Sequence, residues 1–219
     1  MGAQTYLPAG SRSTQKDAMS ANAQELETLP PSRAEDACEL ALKLFLERGF
    51  DNTPMSLIAA ELGLTKAGVY HHFPSKEHLL YIVHRNTMER LLLPIMERAE
   101  RIAEPQARLR SFLVEYARLC TRDPSARLLI SESKRLSAEH FEEIRRVWRR
   151  GFDLVRDAIV ELQRQGRCRS GLNPTYAAFG ALGMCSWIFF WFDYARPQDG
   201  SEVPGTMADI FMNGILEAP

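Results

Sequence analysis

The chain has 219 residues, of which 45% are apolar, and a formal net charge of -1. This length fits one large domain or a small domain followed by a larger one, and the apolar content can build a sizeable core. The balanced charge excludes binding of nucleic acid through bulk charge, so such a contact must come from a local patch. The four cysteines lack the spacing of a zinc site or a disulfide framework, which favours free thiols in a reducing cytoplasm.

Two segments bear on targeting. Residues 1–32 have no apolar run and are rich in Ser, Ala, Gln and Pro, which predicts a disordered leader rather than a signal peptide. Residues 177–192 carry no charge, but as a helix they would span roughly 24 Å, less than the ~30 Å of a hydrocarbon core. We therefore expect a buried helix there and no membrane contact.

Nearly everything after Pro31 has the apolar spacing of helices, with Gly and Pro falling between the apolar stretches. The sequence predicts an all-α fold, with a three-helix helix-turn-helix domain over residues 33–80 and a helical domain over residues 81–219. The predicted helices span about residues 33–48, 53–62, 65–72, 75–103, 105–121, 125–136, 138–165, 174–195 and 204–216.

Residues 53–76 contain the start and stop signals of two short helices joined by a tight turn. Thr53 suits the N-cap of the first of them, with Pro54 at the first helical position. Gly63 suits a turn that needs positive φ, and Thr65 and Ser75 suit the N-caps of the next two helices. This order predicts a helix-turn-helix, in which the second helix presents its N-terminal residues to the major groove.

The side chains around the turn suit DNA. No carboxylate occurs between Glu61 and Glu77. Lys66 can reach a guanine edge or a phosphate, and Ala67 is small enough to meet a thymine methyl group. The remaining polar side chains can donate to phosphate oxygens, which would fix the register of the protein on DNA; they are Tyr70, His71, His72 and Lys76.

The ordered set of residues resembles the N-terminal signature of the TetR family of bacterial regulators. The resemblance rests on Phe50, Thr53, Ile58-Ala59, Gly63, residues 65–73 and Ser75-Lys76-Glu77, and later on Gln165-Gly166-Arg167 and Asn173-Pro174. It implies a dimeric repressor that binds double-stranded operator DNA and releases it when a small-molecule effector binds the C-terminal domain. It also implies that eight residues face DNA, namely Thr53, Thr65, Lys66, Ala67, Tyr70, His71, His72 and Lys76.

The apolar helix at residues 174–195 independently favours a homodimer. Its first half has small residues that allow close approach of backbones, namely Ala177, Ala178, Gly180, Ala181 and Gly183. Its second half supplies aromatic bulk from Trp187, Phe189, Phe190, Trp191 and Phe192. One protomer is too small to cover this surface, so we expect a four-helix interface with the helix at residues 204–216. The alternative is a core helix within one protomer.

The effector site is less specified. Apolar and aromatic candidates on the central helices are Leu113, Tyr116, Leu128, Ile130, Phe141, Trp148, Phe152 and Trp187, all of which also suit ordinary core packing. The helix that carries Trp187 and the helix that carries Arg145, Arg146, Arg149 and Arg150 resemble the acyl-coenzyme A-responsive branch of the family, where basic residues could meet ligand phosphates. The alternative is that Arg146 and Arg150 pair with Glu142 and Glu143 on a solvated face.

Other classes of protein fit less well. The sequence has no nucleophile elbow, phosphate loop, dinucleotide fingerprint or metal-spaced set, so we expect no catalytic residue, metal or cofactor. His71 and His72 would point about 100° apart on a helix and cannot chelate a metal together. A helical adaptor without sequence-specific DNA binding stays open, because residues 33–80 contain five Lys or Arg against seven Asp or Glu.

Overall fold

The computed structural model describes residues 31–195 and 201–216, with the backbone alone for residues 31–33. Within these ranges every regular element is helical, and an isolated antiparallel bridge joins Cys168 to Leu216. The all-α prediction is confirmed. The helices are α1 (Pro31–Arg48), α2 (Met55–Glu61), α3 (Lys66–His72), α4 (Lys76–Thr87), α5 (Leu93–Glu100), α6 (Pro105–Arg122), α7 (Ser125–Ser131), α8 (Ala138–Arg164), α9 (Pro174–Ser186), α10 (Ile188–Trp191) and α11 (Glu202–Ile215).

Several boundaries differ from the predicted ones. Helix α1 begins at Pro31, two residues early; the rest of the predicted leader, residues 1–30, lies outside the described residues. A π-helical segment, Met88–Leu92, joins α4 to α5, which ends at Glu100 instead of residue 103. The carboxylate of Glu104 then caps α6 by accepting hydrogen bonds from the backbone of Gln106 and Ala107, so the chain needs a break before that point.

Several later helices also differ from their predicted bounds. Helix α7 ends at Ser131 and is followed by a 3-10 turn, Ser133–Arg135, in which the Ser133 hydroxyl donates to the carbonyl of Ile130. The predicted helix at residues 174–195 is divided into α9 and α10, and α11 begins at Glu202. In the described ranges no helix has both the length and the hydropathy to cross a membrane.

Two apolar cores organise the molecule. Helices α1, α2, α3 and α4 together form the N-terminal core, in which Ile58, Leu79 and Leu80 are fully buried. The second core joins α5, α6, α8, α9, α10 and α11. Helix α7 belongs to both, since Leu128 and Leu129 pack in the N-terminal core and Ala126 packs in the second. This helix therefore lies between the predicted DNA-binding helices and the predicted regulatory helices.

Candidate nucleic-acid interface and ligand cavity

The turn between α2 and α3 forms as the sequence predicts. Gly63 has φ of +64°, the left-handed region in which glycine has no steric penalty. The Thr65 hydroxyl caps α3 by accepting from the Gly68 backbone at 3.0 Å. The Ser75 hydroxyl caps α4 by accepting from the His78 backbone at 2.9 Å. These local bonds fix where α3 and α4 begin.

Helix α3 has one buried side and one exposed side. Val69 is buried, and Phe73, just after the helix, is buried in the N-terminal core as predicted. Four residues predicted to contact DNA share the exposed side, namely Lys66, Ala67, Tyr70 and His71. The Lys66 ammonium lies 5.8 Å from the centroid of the Tyr70 ring. The arrangement places a cation, a small residue, a phenol and an imidazole on a surface that a DNA groove can reach.

Two further predicted contacts border this surface. Thr65 is exposed, although its hydroxyl already accepts a hydrogen bond from the Gly68 backbone. His72 is partly buried and its ring lies 5.1 Å from that of His71. Burial, with a smaller effect of His71, lowers the pKa of His72. A neutral imidazole is a weaker partner for phosphate than an imidazolium, so His72 suits hydrogen bonding better than charge pairing at neutral pH.

Thr53 does not face DNA. Its side chain is fully buried, and its hydroxyl donates to the carbonyl oxygens of Gly49 at 2.9 Å and Leu44 at 3.3 Å. It is also not an N-cap, because α2 begins at Met55 with Pro54 in the capping position. The two predictions for Thr53, as a DNA contact and as an N-cap, are therefore wrong. Its hydrogen bonds instead attach the loop between α1 and α2 to the C-terminal end of α1.

Lys76 is less available than predicted. Its ammonium donates to the carbonyl oxygen of Phe50 at 2.7 Å and lies 4.2 Å from the centroid of the Phe50 ring. Burial lowers the pKa of Lys76, while Asp51 raises it and Arg135 lowers it. An ammonium has three donors, so a contact with phosphate still has donors available after the bond to Phe50 is made.

A cavity of about 380 Å³ lies among α5, α6, α7, α8, α9 and α10. Its wall is mostly apolar and aromatic. The polar groups are few: the Tyr116 hydroxyl and the Ser186 hydroxyl lie 2.8 Å apart, and Ser133 and Lys134 also line the cavity. Burial raises the pKa of Tyr116, so the phenol stays protonated. Among the described residues that line the cavity, Lys134 has the one charged side chain.

Half of the predicted effector residues line this cavity. Those that do are Tyr116, Ile130, Trp148 and Phe152; those that do not are Leu113, Leu128, Phe141 and Trp187. Leu113 is wholly enclosed by core packing, and Leu128 and Phe141 pack in the N-terminal core. Trp187 is 63% exposed on the outside of the protomer. The structure places these four outside the cavity, because an apolar stripe predicts burial without showing which buried residues border a void.

Sequence reasoning missed several lining residues, among them Met96, Phe112, Gly151, Leu182 and Phe189. One of them had a visible signal. Gly151 interrupts the middle of α8, where glycine costs roughly 1 kcal/mol relative to alanine. A Cβ built there would lie 2.6 Å from the Met96 Cε atom. A glycine inside a strong helical pattern could therefore have indicated a close approach at the cavity wall.

The arginines of α8 do not line the cavity. Arg150 is two residues after Trp148, which lines the cavity. At about 100° per residue, the two side chains point to nearly opposite faces of α8. Arg150 forms a bidentate pair with Glu100 at 2.8 and 2.6 Å. Arg145 binds Glu142 at 2.7 Å. These arginines therefore lie outside the cavity wall, and their contact with the phosphates of a ligand stays a prediction.

The alternative prediction, in which Arg146 and Arg150 pair with Glu142 and Glu143, is wrong. Glu143 accepts a hydrogen bond from the Tyr81 hydroxyl instead. Arg146 has no ion pair within residues 31–195 and 201–216. Those same ranges also contain no group of three or more His, Cys, Asp or Glu that could hold a metal ion.

An exposed aromatic patch covers the outer faces of α9, α10 and α11. It consists of Tyr176, Phe179, Trp187, Phe190, Trp191 and Ile210, each at least 46% exposed. The predicted small-residue set is divided by the structure. Ala177, Ala178 and Ala181 are buried inside the protomer, so they serve its own core and not the approach of a second protomer. Gly180 and Gly183 are exposed, and a Cβ at either position would meet no atom within 4 Å.

Comparisons with known proteins agree with this architecture. Residues 38–81 match the family described as bacterial regulatory proteins, tetR family, and residues 103–215 match the tetracyclin repressor-like C-terminal domain. The HTH-type transcriptional repressor KstR2 of Mycolicibacterium smegmatis is 23% identical over 199 residues, which cover 86% of this chain and 93% of that protein.

Two solved structures are also similar. The structure of AibR in complex with isovaleryl coenzyme A and operator DNA is 30% identical, with a TM-score of 0.75, and the match covers 81% of this chain and 97% of AibR. The regulator PfmR from Thermus thermophilus is 29% identical, with a TM-score of 0.72 and the same shares of coverage. Since the C-terminal match alone spans more than half of the residues and the N-terminal match covers the helix-turn-helix, the chain belongs to the TetR family of bacterial transcriptional regulators.

Proposed function

We propose that this regulator is a repressor that binds a palindromic operator as a homodimer and releases it when a small, largely apolar effector enters the central cavity. In this proposal residues 33–80 read DNA, and residues 81–219 bind the effector and the second protomer. The observation that carries the proposal is the position of α7, which packs in the N-terminal core through Leu128 and Leu129 while Leu129 and Ile130 line the cavity.

The exposed side of α3 is the part that would read DNA. Lys66 and Ala67 lie in its first turn, which in a helix-turn-helix is the part closest to the base edges. Tyr70 and His71 lie one turn later and suit phosphate oxygens. One such short helix reads few bases, and a dimer reads two half-sites about 34 Å apart or somewhat more.

The exposed aromatic patch supports the dimer. The rings of Trp187 and Phe190 are 4.9 Å apart and both are more than half exposed. So many exposed large apolar side chains on neighbouring helices are unusual on monomeric proteins and typical of an interface core. A two-fold axis near the patch would bury each aromatic side chain twice, once for each protomer.

An acyl-coenzyme A is our candidate effector. AibR was solved with isovaleryl coenzyme A and operator DNA together. In this chain the apolar wall, near Phe152 and Trp148, suits an acyl group, and the Tyr116–Ser186 pair and Lys134 supply a few polar groups to orient it. The volume of about 380 Å³ fits the acyl part of such a ligand and not the whole coenzyme. The nucleotide would then extend toward Lys134 and solvent.

The test begins with selection of bound fragments from genomic DNA, followed by anisotropy titrations of the selected site at several salt concentrations. We expect salt-dependent, sequence-selective binding; weak binding that does not depend on sequence would instead support a helical adaptor. Calorimetric titration then uses isovaleryl-coenzyme A, palmitoyl-coenzyme A and free coenzyme A. Heat from neither acyl compound, together with unchanged DNA affinity, would contradict the acyl-coenzyme A proposal.

The proposed binding of an operator implies a cytoplasmic location for the protein. A bacterial regulator meets its DNA in the cytoplasm, and the buried free thiols of this chain, Cys38, Cys120, Cys168 and Cys185, suit that reducing compartment. Burial raises the pKa of Cys38 to about 11 and that of Cys185 to about 12, so these thiols are poor nucleophiles. We therefore assign them to packing and not to redox sensing.

A further inference from the structure

The cavity and the N-terminal core share one element, α7 with the 3-10 turn that follows it. Leu129 packs in the N-terminal core and also lines the cavity. Ile130, Ser133 and Lys134 also line the cavity. A molecule that fills the cavity therefore touches the Ser133–Arg135 turn or the helix that leads into it.

The turn continues directly into a contact with the loop between α1 and α2. Arg135, next to Lys134, donates two hydrogen bonds to the carboxylate of Asp51, at 2.8 and 2.6 Å. Its guanidinium carbon lies 5.2 Å from the centroid of the Phe50 ring. Its Nε atom donates to Glu132 at 2.6 Å, which holds the side chain in place. Arg135 thus ties the cavity wall to Phe50 and Asp51.

The same loop holds the start of α4. The Phe50 carbonyl oxygen accepts from the Lys76 ammonium at 2.7 Å. Lys76 is the first residue of α4, and Phe73, three residues earlier, anchors the end of α3 in the N-terminal core. A movement of the Phe50–Asp51 pair would therefore reach the segment that sets the direction of the recognition helix.

We propose that the Ser133–Arg135 turn transmits occupation of the cavity to the recognition helix, through Arg135 to Asp51 and Phe50 and from Phe50 to Lys76. This relay rests on the proposed function, since it presumes that a cavity ligand controls operator binding. It assigns to Arg135 a role in regulation and none in direct contact with DNA. A ligand that displaces Lys134 would displace Arg135 with it, because the two are neighbours in a short 3-10 turn.

The size of the effect follows from the exposure of the pair. The side chains of Arg135 and Asp51 are 41% and 69% exposed, so solvent and salt screen their attraction. A bidentate pair still has a defined geometry, which a relay needs. Coupling between sites of about fivefold in affinity is at the low end of known allosteric effects. We expect a coupling of that order, reduced at high salt.

The test uses a built-in cavity occupant, which removes the need to know the effector. Gly151→Leu places a side chain against Met96 at the cavity wall, and Gly151→Ala is a milder form for use if the first variant is poorly folded. Operator affinity and backbone hydrogen exchange over residues 50–76 are measured with Gly151→Leu alone and combined with Arg135→Gln or Asp51→Asn. The matched control is His140→Gln, which removes a 2.8 Å contact with Glu77 that does not border the cavity.

We expect Gly151→Leu to change operator affinity by about fivefold, and by less than about twofold once Arg135→Gln or Asp51→Asn is present. The combination with His140→Gln should keep the full change. An equal effect of Gly151→Leu with and without Arg135→Gln would overturn the relay, as would an unchanged operator affinity. Loss of the effect with His140→Gln as well would also overturn it, since the coupling would then spread over the whole interface. None of these outcomes depends on acyl-coenzyme A, and absence of operator binding in every variant would instead reject the proposed function.

Discussion

The Thr53 hydroxyl donates a hydrogen bond to the Gly49 carbonyl oxygen at 2.9 Å from a fully buried position. Gly49 has φ of +80° and ends α1, where carbonyl oxygens have no partner within the helix. Thr53 supplies that partner. The loop that the bond closes contains Phe50 and Asp51, so the position of both residues depends on it.

Thr53→Val should lower the free energy of unfolding by about 1–2 kcal/mol, because the shape is kept and a buried hydrogen-bond donor is lost. Urea titration followed by circular dichroism measures the change. Ser56→Ala, which removes an exposed hydroxyl on α2, is the control and should stay within about 0.5 kcal/mol. Equal stability of Thr53→Val and the unmodified protein would show that the hydroxyl does not fasten the loop.

Lys66→Ala should weaken operator binding and reduce the slope of log affinity against log salt by about one unit, because one phosphate or base-edge cation is lost. Ala67→Gly should alter site preference at the base that meets its methyl group, and Tyr70→Ala should weaken binding across sites alike. Arg164→Ala is the control, since Arg164 is exposed at the far end of α8. If Lys66→Ala and Tyr70→Ala bind as tightly as the unmodified protein, α3 is not the recognition helix.

The contrast between Thr65 and Thr53 explains how far the sequence leads. Thr65 caps the helix that it precedes, through a bond to Gly68 three residues away, and short-range patterns of this kind can be read directly. The bond of Thr53 to Leu44 crosses nine positions and depends on how α1 meets the loop. Tertiary packing decides such contacts. The local pattern therefore predicted the helix-turn-helix, while the role predicted for Thr53 was wrong.

The cavity shows the same limit. The apolar stripe of α8 correctly predicted a helix with Trp148 and Phe152 on its inner side. Whether an inner residue meets another side chain or a void depends on the neighbouring helices, as Phe141 and Trp148 illustrate. Their rings are 6.0 Å apart and both pack against the N-terminal core, yet of the two only Trp148 borders the cavity.

Phe190→Glu and Trp187→Glu should convert the dimer to monomers and lower operator affinity. Burial of a large apolar side chain contributes roughly 1.5–3 kcal/mol, and a two-fold axis makes each substitution count twice. Sedimentation velocity measures the oligomeric state. Leu46→Glu, which charges an exposed apolar residue on α1 outside the aromatic patch, is the control and should remain dimeric. Dimers in both patch variants would remove this surface from the interface.

His84 should make stability fall in mild acid. Its side chain is fully buried in α4, and burial lowers its pKa below the ordinary 6.5, against the opposing effect of the Leu80 and Leu129 carbonyl groups. Below pH 6.5 the unfolded chain takes up a proton at this position that the folded chain does not, so the free energy of unfolding decreases as pH falls toward the folded-state pKa. One such proton corresponds to at most about 1.4 kcal/mol per pH unit.

The measurement is a set of urea titrations between about pH 5.5 and 7.5, a range that brackets the ordinary histidine pKa, on the unmodified protein and on His84→Gln. Partly buried His72 also has a lowered pKa and contributes in the same direction in both proteins, so the difference between the two slopes isolates His84. We expect the variant to be less stable at the upper end of this range, because the hydrogen bond between the imidazole and the Leu80 carbonyl is altered, and to lose less stability on acidification. Parallel pH dependences in the two proteins would show that His84 takes up its proton equally in the folded and unfolded states.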